Sequence, residues 1–353
     1  MNPRLKSIHS VLKQRGLDGL LVSLPANISY LTESLSRDAY LLVSLKENIY
    51  FTDSRYIEEA LVFLKDNATL KECNGYVFTH IAQAAVKLGL KNLGFEERNL
   101  PFAEFVKVKE GARGKFNLIP THSIIEDKRQ LKDSQEIIKI RKATRITALA
   151  LEHLKQFIVP GKKEIEIVAE LERFIRYQGA RASAFDIIVA SGPNSSQPHH
   201  LSGERKLKKN EPILIDLGVD YQGYKSDLTR VLFLGKINIL ERKVYDIVLK
   251  AQELAIKRIR PGAEMAEIDR VAREYIAAQG YGAYFTHNLG HGFGLEIHEA
   301  PHISGREATA VKPGMTFTVE PGIYLPGKFG IRIEDMVLIT TKGSEVISGA
   351  IHK

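Results

Sequence analysis

Sixteen residues, HNLGHGFGLEIHEAPH (287–302), hold four histidines: His287, His291, His298 and His302. On a helix, His287 and His291 would share a face, as in helical zinc sites. Gly290, Gly292 and Gly294 argue against a helix, since each costs about 1 kcal/mol in a helix interior. The stretch reads as a Gly-rich loop running into a short strand, LEIHE, with Glu296 and His298 on one face. Its histidines must therefore find partners elsewhere in the chain. Four carboxylates are suited to the task. Asp216 follows the apolar run PILI and Glu320 follows MTFTV, and a second acid follows each: Asp227 in GYKSDLTR and Glu334 in GIRIEDM. A carboxylate at the end of a buried strand is costly unless it is paired or binds a cation. Taken singly, Asp216 could be a turn residue, and Asp227 with Arg230, or Arg332 with Glu334, could be surface ion pairs. Their matched placement is what those readings leave unexplained. Four carboxylates and one or more histidines, without sulfur, suit Mn, Fe(II), Co or Zn. That is more ligands than one ion needs, so the set implies two metals and, with them, hydrolysis by an activated bridging water.

The elements that would bring these residues together repeat. VPGKKEIEIVAELERFIRYQGA (159–180) resembles RPGAEMAEIDRVAREYIAAQGYG (260–282), with Pro-Gly leading to Gln-Gly at the same spacing. NEPILIDLG (210–218) matches GMTFTVEPG (314–322), so that Asp216 aligns with Glu320. A period of about a hundred residues is too long for a solenoid. It fits two helix-plus-strand half-domains around a pseudo-twofold axis, across which the four acids would meet. Before the repeat, Asp133 with Glu136 forms a capping-box pattern opening a long helix to about Ile158. Still earlier, an amphipathic helix over 4–15, strands GLLVSL, YLLVSL, NIYFTD and NLGFEE, and helices RYIEEALVFLK and THIAQAAVKLGL make an α/β pattern to about residue 120. The polar stretch LIPTHSIIEDKRQLKDSQE reads as a connector, which places the domain boundary at 125/126.

Composition sets the limits. The chain has 353 residues, 44% of them hydrophobic and 26% charged, as expected of a soluble globular protein of two domains. It has one cysteine, Cys73, so no intramolecular disulfide, which fits a reducing cytoplasm. The start lacks a signal-peptide core, and no apolar run approaches the roughly 18 residues of a membrane span. The net charge is +8. Lysines and arginines alternate with acids along helices (EIIKIRKATR, LERKVYD), so a basic solvated surface is expected rather than a nucleic-acid site.

Five ordered motifs, GPNSSQPHH, IDLGVDYQGYKSDLTR, HNLGHGFGLEIHE, TVEPGIY and GIRIEDM, resemble those of the aminopeptidase P and Xaa-Pro dipeptidase (prolidase) family. The resemblance covers the whole chain. It implies a creatinase-type α/β domain (1–125) followed by a pita-bread catalytic domain (126–353). By the resemblance, Asp216 holds one metal, His291 and Glu320 hold the other, and Asp227 and Glu334 bridge them. Two divalent ions are implied, Mn2+ first, with Co2+, Zn2+ or Fe2+ possible. His298 matches a histidine that contacts substrate, and His199 one that donates toward the scissile peptide. His287 matches a pocket histidine, and Glu320 is placed to move a proton. Arg332 orients a carboxylate of the cluster or forms a surface pair; His200 is a pocket neighbour or simply exposed.

The implied reaction is hydrolysis of the bond before proline by a metal-bridging hydroxide, on peptides with proline second, in a homodimeric cytoplasmic enzyme. Dipeptidase relatives often carry arginine after HEXP, where HEAPH has His302. A histidine is a weaker carboxylate partner than a bidentate arginine. That residue turns the expectation toward aminopeptidase P, with dipeptidase as the alternative. A third reading is a non-catalytic pita-bread binding module, which the complete ligand set argues against.

Overall fold

The computed structural model describes residues 2–65 and 67–353. They form two compact units, the first ending at Arg129 and the second beginning at Gln130.

The first unit is a six-stranded sheet with helices on its faces. Its strand order is Thr69–Glu72, Ile49–Thr52, Tyr40–Ser44, Gly19–Val22, Asn92–Glu96, Asn117–Thr121. Gly19–Val22 is buried at every residue, which explains its continuous apolar run: it is covered on both faces. Leu21, Leu42, Phe51 and Leu93 pack against Ile81 and Ala85 of the helix Val77–Lys87 and Val108 of the helix Phe102–Ala112. The polar stretch expected to be a connector holds instead an edge strand, Asn117–Thr121, and a short helix, Glu126–Arg129. The strand is exposed along most of its length and contains Pro120, which an edge tolerates; neither feature reads as a strand in sequence. The short helix stays with the first unit because Arg129 is buried there, donating from Nη1 to Asn27 Oδ1 at 2.7 Å.

The second unit carries the duplication. Asp133 and Glu136 form the capping box of a helix, Ser134–Phe157. Asn238 and Glu241 form one on its counterpart, Ile239–Arg258. Each long helix is followed by Pro-Gly and a 14-residue helix, Glu164–Tyr177 or Met265–Ala278. In the first half the strand Pro212–Leu217 lies between Ile188–Ser191 and Leu228–Phe233, antiparallel to both. In the second, Thr316–Val319 lies between Gly290–Gly292 and Asp335–Thr340. Alternation along these strands places the acids. Ile213, Ile215 and Leu217 pack on the first pair of helices, so Asp216 faces the other way with Leu214, toward the second half. Phe317 and Val319 pack on the second pair of helices, which turns Thr318 and the succeeding Glu320 toward the first half.

LEIHE is not a strand. Residues 294–298 form bends, with Gly294 N donating to Glu296 O, and the strand begins at Glu299. The glycines upstream form the strand Gly290–Gly292, whose partners explain them. A Cβ on Gly290 would lie 2.0 Å from Thr318 O, and one on Gly292 would lie 2.4 Å from Ala300 O. Among the described residues no helix is long and apolar enough to cross a membrane.

Candidate metal centre

A cavity of about 850 Å3 in the second unit is lined by all four carboxylates, Asp216, Asp227, Glu320 and Glu334, and by His199, His287, His291, His298, His302 and Arg332. The residues singled out from sequence as site candidates therefore share one cavity, although they span more than a hundred positions. Asp227, His291 and Glu334 each offer a ligand atom within 4.8 Å of the others.

His291 is prepared for ligation through one nitrogen. Its Nδ1 lies 3.1 Å from Gly292 O, so Nδ1 carries the proton and Nε2 is bare. Nε2 stands 3.4 Å from Asp227 Oδ2 and 3.3 Å from Glu320 Oε1. Burial, then the neighbouring His298, pushes its pKa down to about 3, so the ring is neutral. His287 is the opposite case. Its Nδ1 donates to Asn288 O at 2.7 Å, and Nε2 accepts from Tyr324 OH at 3.0 Å, leaving no nitrogen for a metal. Burial, then the Arg332 charge, holds it down at about 4.

Three of the four carboxylates, Asp216, Glu334 and Glu320, have one oxygen tied to the protein. Arg332 Nη2 donates to Asp216 Oδ2 at 2.7 Å. Thr229 Oγ1 donates to Glu334 Oε2 at 2.7 Å and accepts from Arg332 Nε at 3.0 Å. Thr318 donates to Glu320 Oε1 at 3.0 Å. Asp216 Oδ1 and Glu334 Oε1, by contrast, are buried without a hydrogen-bond partner. Burial and then the charge of Glu334 push the Asp227 carboxyl well up, and burial and then Glu320 do the same to Glu334. Burial, partly offset by Arg332, brings Glu320 to about 7. These acids are held in mutual repulsion with a single guanidinium among them, an arrangement that calls for cations.

At the cavity rim the rings are free to meet a ligand. His199, His298 and His302 are exposed. His298 packs edge-on to His291, with ring centroids 4.3 Å apart. His302 is there because the antiparallel register pairs it directly with His291.

Residues 138–341 match metallopeptidase family M24, and residues 4–131 match the creatinase/prolidase N-terminal domain. The chain belongs to metallopeptidase family M24. Its first unit is the creatinase-type domain and its second the pita-bread domain. This M24 peptidase is similar to the Xaa-Pro dipeptidase of Pyrococcus horikoshii, 35% identical over 98% of this chain and 96% of the relative. Among solved structures it resembles the Xaa-Pro dipeptidase of Bacillus anthracis, at 38% identity and TM-score 0.94, covering 98% of this chain and 96% of that one. It also resembles the X-Pro aminopeptidase of Thermotoga maritima, at 35% identity and TM-score 0.89, covering 98% and 97%.

The donor set of this M24 peptidase fits divalent cations: hard oxygens and one imidazole nitrogen, with two buried oxygens unsatisfied. Tyr324 and Thr229 escaped the sequence reading. Tyr324 OH accepts from Arg332 Nη1 at 2.9 Å while donating to His287, so it links the pocket histidine to the guanidinium that holds Asp216. Their signal was alternation: a polar residue on a buried strand, next to the motif acids.

Proposed function

We propose that this M24 peptidase is a Xaa-Pro dipeptidase using two divalent ions, Mn2+ first among the candidates, held by Asp216, Asp227, His291, Glu320 and Glu334. The observation that carries the reaction class is the pair of buried, unpartnered oxygens, Asp216 Oδ1 and Glu334 Oε1, beside the bare His291 Nε2 in a substrate-sized cavity. Bound ions would supply a water-derived nucleophile near neutral pH and electrophilic stabilisation of the carbonyl oxygen.

The chain's own residues do the rest. Arg332 and Thr229 fix the orientation of Asp216 and Glu334 by holding one oxygen of each. Tyr324 and His287 hold Arg332 in turn. His298 and His199 stand exposed at the rim, where each has a ring nitrogen to offer the peptide before proline. Glu320 moves a proton between the attacking water and the departing proline nitrogen.

The preference for dipeptides rests on the relatives named Xaa-Pro dipeptidase, which resemble this chain along nearly its whole length. It replaces the leaning toward aminopeptidase P drawn from His302, a single residue. That second reading keeps two supports: His302 in the cavity where a carboxylate-gripping arginine would serve a dipeptide, and the Thermotoga maritima X-Pro aminopeptidase. Protein stripped of metal and reloaded with Mn2+ or Co2+ separates them on Ala-Pro, Ala-Pro-Ala-Ala and Met-Ala-Ser, followed by mass spectrometry. Metal-dependent cleavage of Ala-Pro in preference is expected. Preferred release of alanine from the tetrapeptide would make it an aminopeptidase, and cleavage of Met-Ala-Ser alone would overturn the proline assignment.

A further inference from the structure

Glu164 is completely buried at the first position of the helix Glu164–Tyr177, outside the metal cluster. All its side-chain bonds go to one segment, residues 191–203. Oε1 accepts from Ser191 N and Ser191 Oγ, both at 2.8 Å, and from Asn194 Nδ2 at 3.0 Å. Oε2 accepts from His200 Nε2 at 2.8 Å and from Gly203 N at 3.4 Å. Burial works against this charge, but the bonds from His200, Ser191 and Asn194 outweigh it and keep the carboxyl below its usual range.

The segment is pinned on the other side too. Arg332 Nη1 donates to Pro198 O at 3.3 Å, and Gly330 N donates to Ser195 Oγ at 2.8 Å. His199 thus lies exposed in the cavity between two anchored neighbours: Pro198, tied to the arginine of the metal cluster, and His200, tied to Glu164.

The duplication supplies an internal control. With Pro160-Gly161 aligned on Pro261-Gly262, Glu164 corresponds to Met265, which is also fully buried. The backbones match. Glu164 N donates to Arg205 O at 3.0 Å and Met265 N to Thr309 O at 3.1 Å; Ile165 N donates to Gly203 O and Ala266 N to Glu307 O, both at 3.1 Å. The fold accepts an apolar side chain at this place. A buried carboxylate there is not needed to build the half-domain, and burying one is costly unless its bonds serve something else.

We propose that Glu164 is a positioning residue that, through Ser191, Asn194 and His200, holds the 191–203 segment so that His199 is presented to the reacting peptide bond. This rests on the reading above in which His199 contacts substrate.

The test is a double-mutant cycle on the Mn2+-loaded enzyme with Ala-Pro, using Glu164→Met, which copies the second half, and His199→Ala. Glu164→Met should lower kcat/KM by about ten- to a hundredfold, the order expected when a contacting group shifts by about an ångström. Metal content should not change. The double variant should be no slower than the slower single, because a residue acting through His199 has nothing left to position. Hydrogen exchange read by mass spectrometry should speed up at least tenfold over 191–203 and stay unchanged over 212–217. Effects that multiply, or no loss in Glu164→Met, would overturn the proposal. If Glu164→Met does not fold, Asn194→Ala takes its place in the same cycle, and multiplying effects there would count equally against it. A wild-type enzyme that cleaves no Xaa-Pro peptide would fail the functional reading, not the clamp: the exchange arm still decides whether Glu164 holds the segment.

Discussion

Asp216, Glu320 and Glu334 each divide their labour between two oxygens. One oxygen is held by Arg332 or a threonine, which fixes the plane of the group; for Asp216 and Glu334 the other is left buried and bare. This costs stability when no cation is present and is recovered on binding. Asp227→Ala or Glu334→Ala should abolish turnover and lower bound metal, measured by elemental analysis; wild-type activity in either would sink the ligand assignment. A less obvious expectation follows for Asp227→Asn. Without metal it should melt several degrees above the metal-free wild type at neutral pH, because burial and Glu334 both disfavour the Asp227 charge there. With metal the order should reverse. Thermal denaturation with and without chelator reads both. Tyr324→Phe removes a buried hydroxyl used by His287 and Arg332, and should cost about 1–3 kcal/mol by chemical denaturation. A roughly tenfold fall in kcat/KM should accompany it if the hydroxyl steadies Arg332.

The strands act by parity. Those carrying the acids alternate between their own helices and the opposite half, so a one-residue slip would bury the carboxylates among apolar side chains. Close approach of strands sets the rest. Gly290 sits where a Cβ would meet Thr318 O at 2.0 Å, immediately before His291. Gly290→Ala should cost about 1–3 kcal/mol and reduce bound metal, since the strand must move off its neighbours. Gly327 is the control. It has a positive φ of 70° but open space around it, so Gly327→Ala should cost about 1 kcal/mol of strain and leave metal content intact. Equal metal loss in both would show that the close approach is not what positions His291.

Over the whole molecule, cation binding and ion pairs set the stability profile. Saturating Mn2+ should raise the melting temperature, by an amount equivalent to about 2.7 kcal/mol for an ion at a hundred times its Kd. No change on chelation would mean that the centre does not bind. Acid stability has a separate source in Asp220, buried away from the cavity. Burial pushes its carboxyl up, but Arg181, whose Nη2 is 2.6 Å away, and Lys225 outweigh that and hold it below its usual range. The native state therefore binds this proton less readily than the unfolded chain. The pair's contribution is full above the unfolded Asp value of about 3.9 and is lost as pH falls through the lower native one. Asp220→Asn should destabilise at pH 7 by about 3 kcal/mol. The gap to wild type should narrow below pH about 3.9; urea titrations at pH 7 and in acid would show whether it does.

Much of this was legible in the primary structure, for reasons that are local. The capping box at Asp133 announces the first long helix, since its side chain and that of Glu136 satisfy orphan amides at the helix start. Buried runs such as GLLV and PILI announce strands covered on both faces. The duplication and the motif acids announce the site. What sequence could not resolve depends on partners far along the chain. The edge strand Asn117–Thr121 has no apolar signal because only its hydrogen bonds to Asn92–Glu96 make it a strand. LEIHE looks like a strand, but the turn at Gly294 bends it. Arg332 and Arg230 read alike in sequence, each near an acid of the motifs. Tertiary packing alone sends Arg332 to Asp216 and Tyr324, and Arg230 to Asp335 and the backbone of His352. Short-range patterns determined which elements form and which residue types can bind metal. The facing of two half-domains decided which oxygens are left bare, because that depends on contacts more than a hundred residues apart.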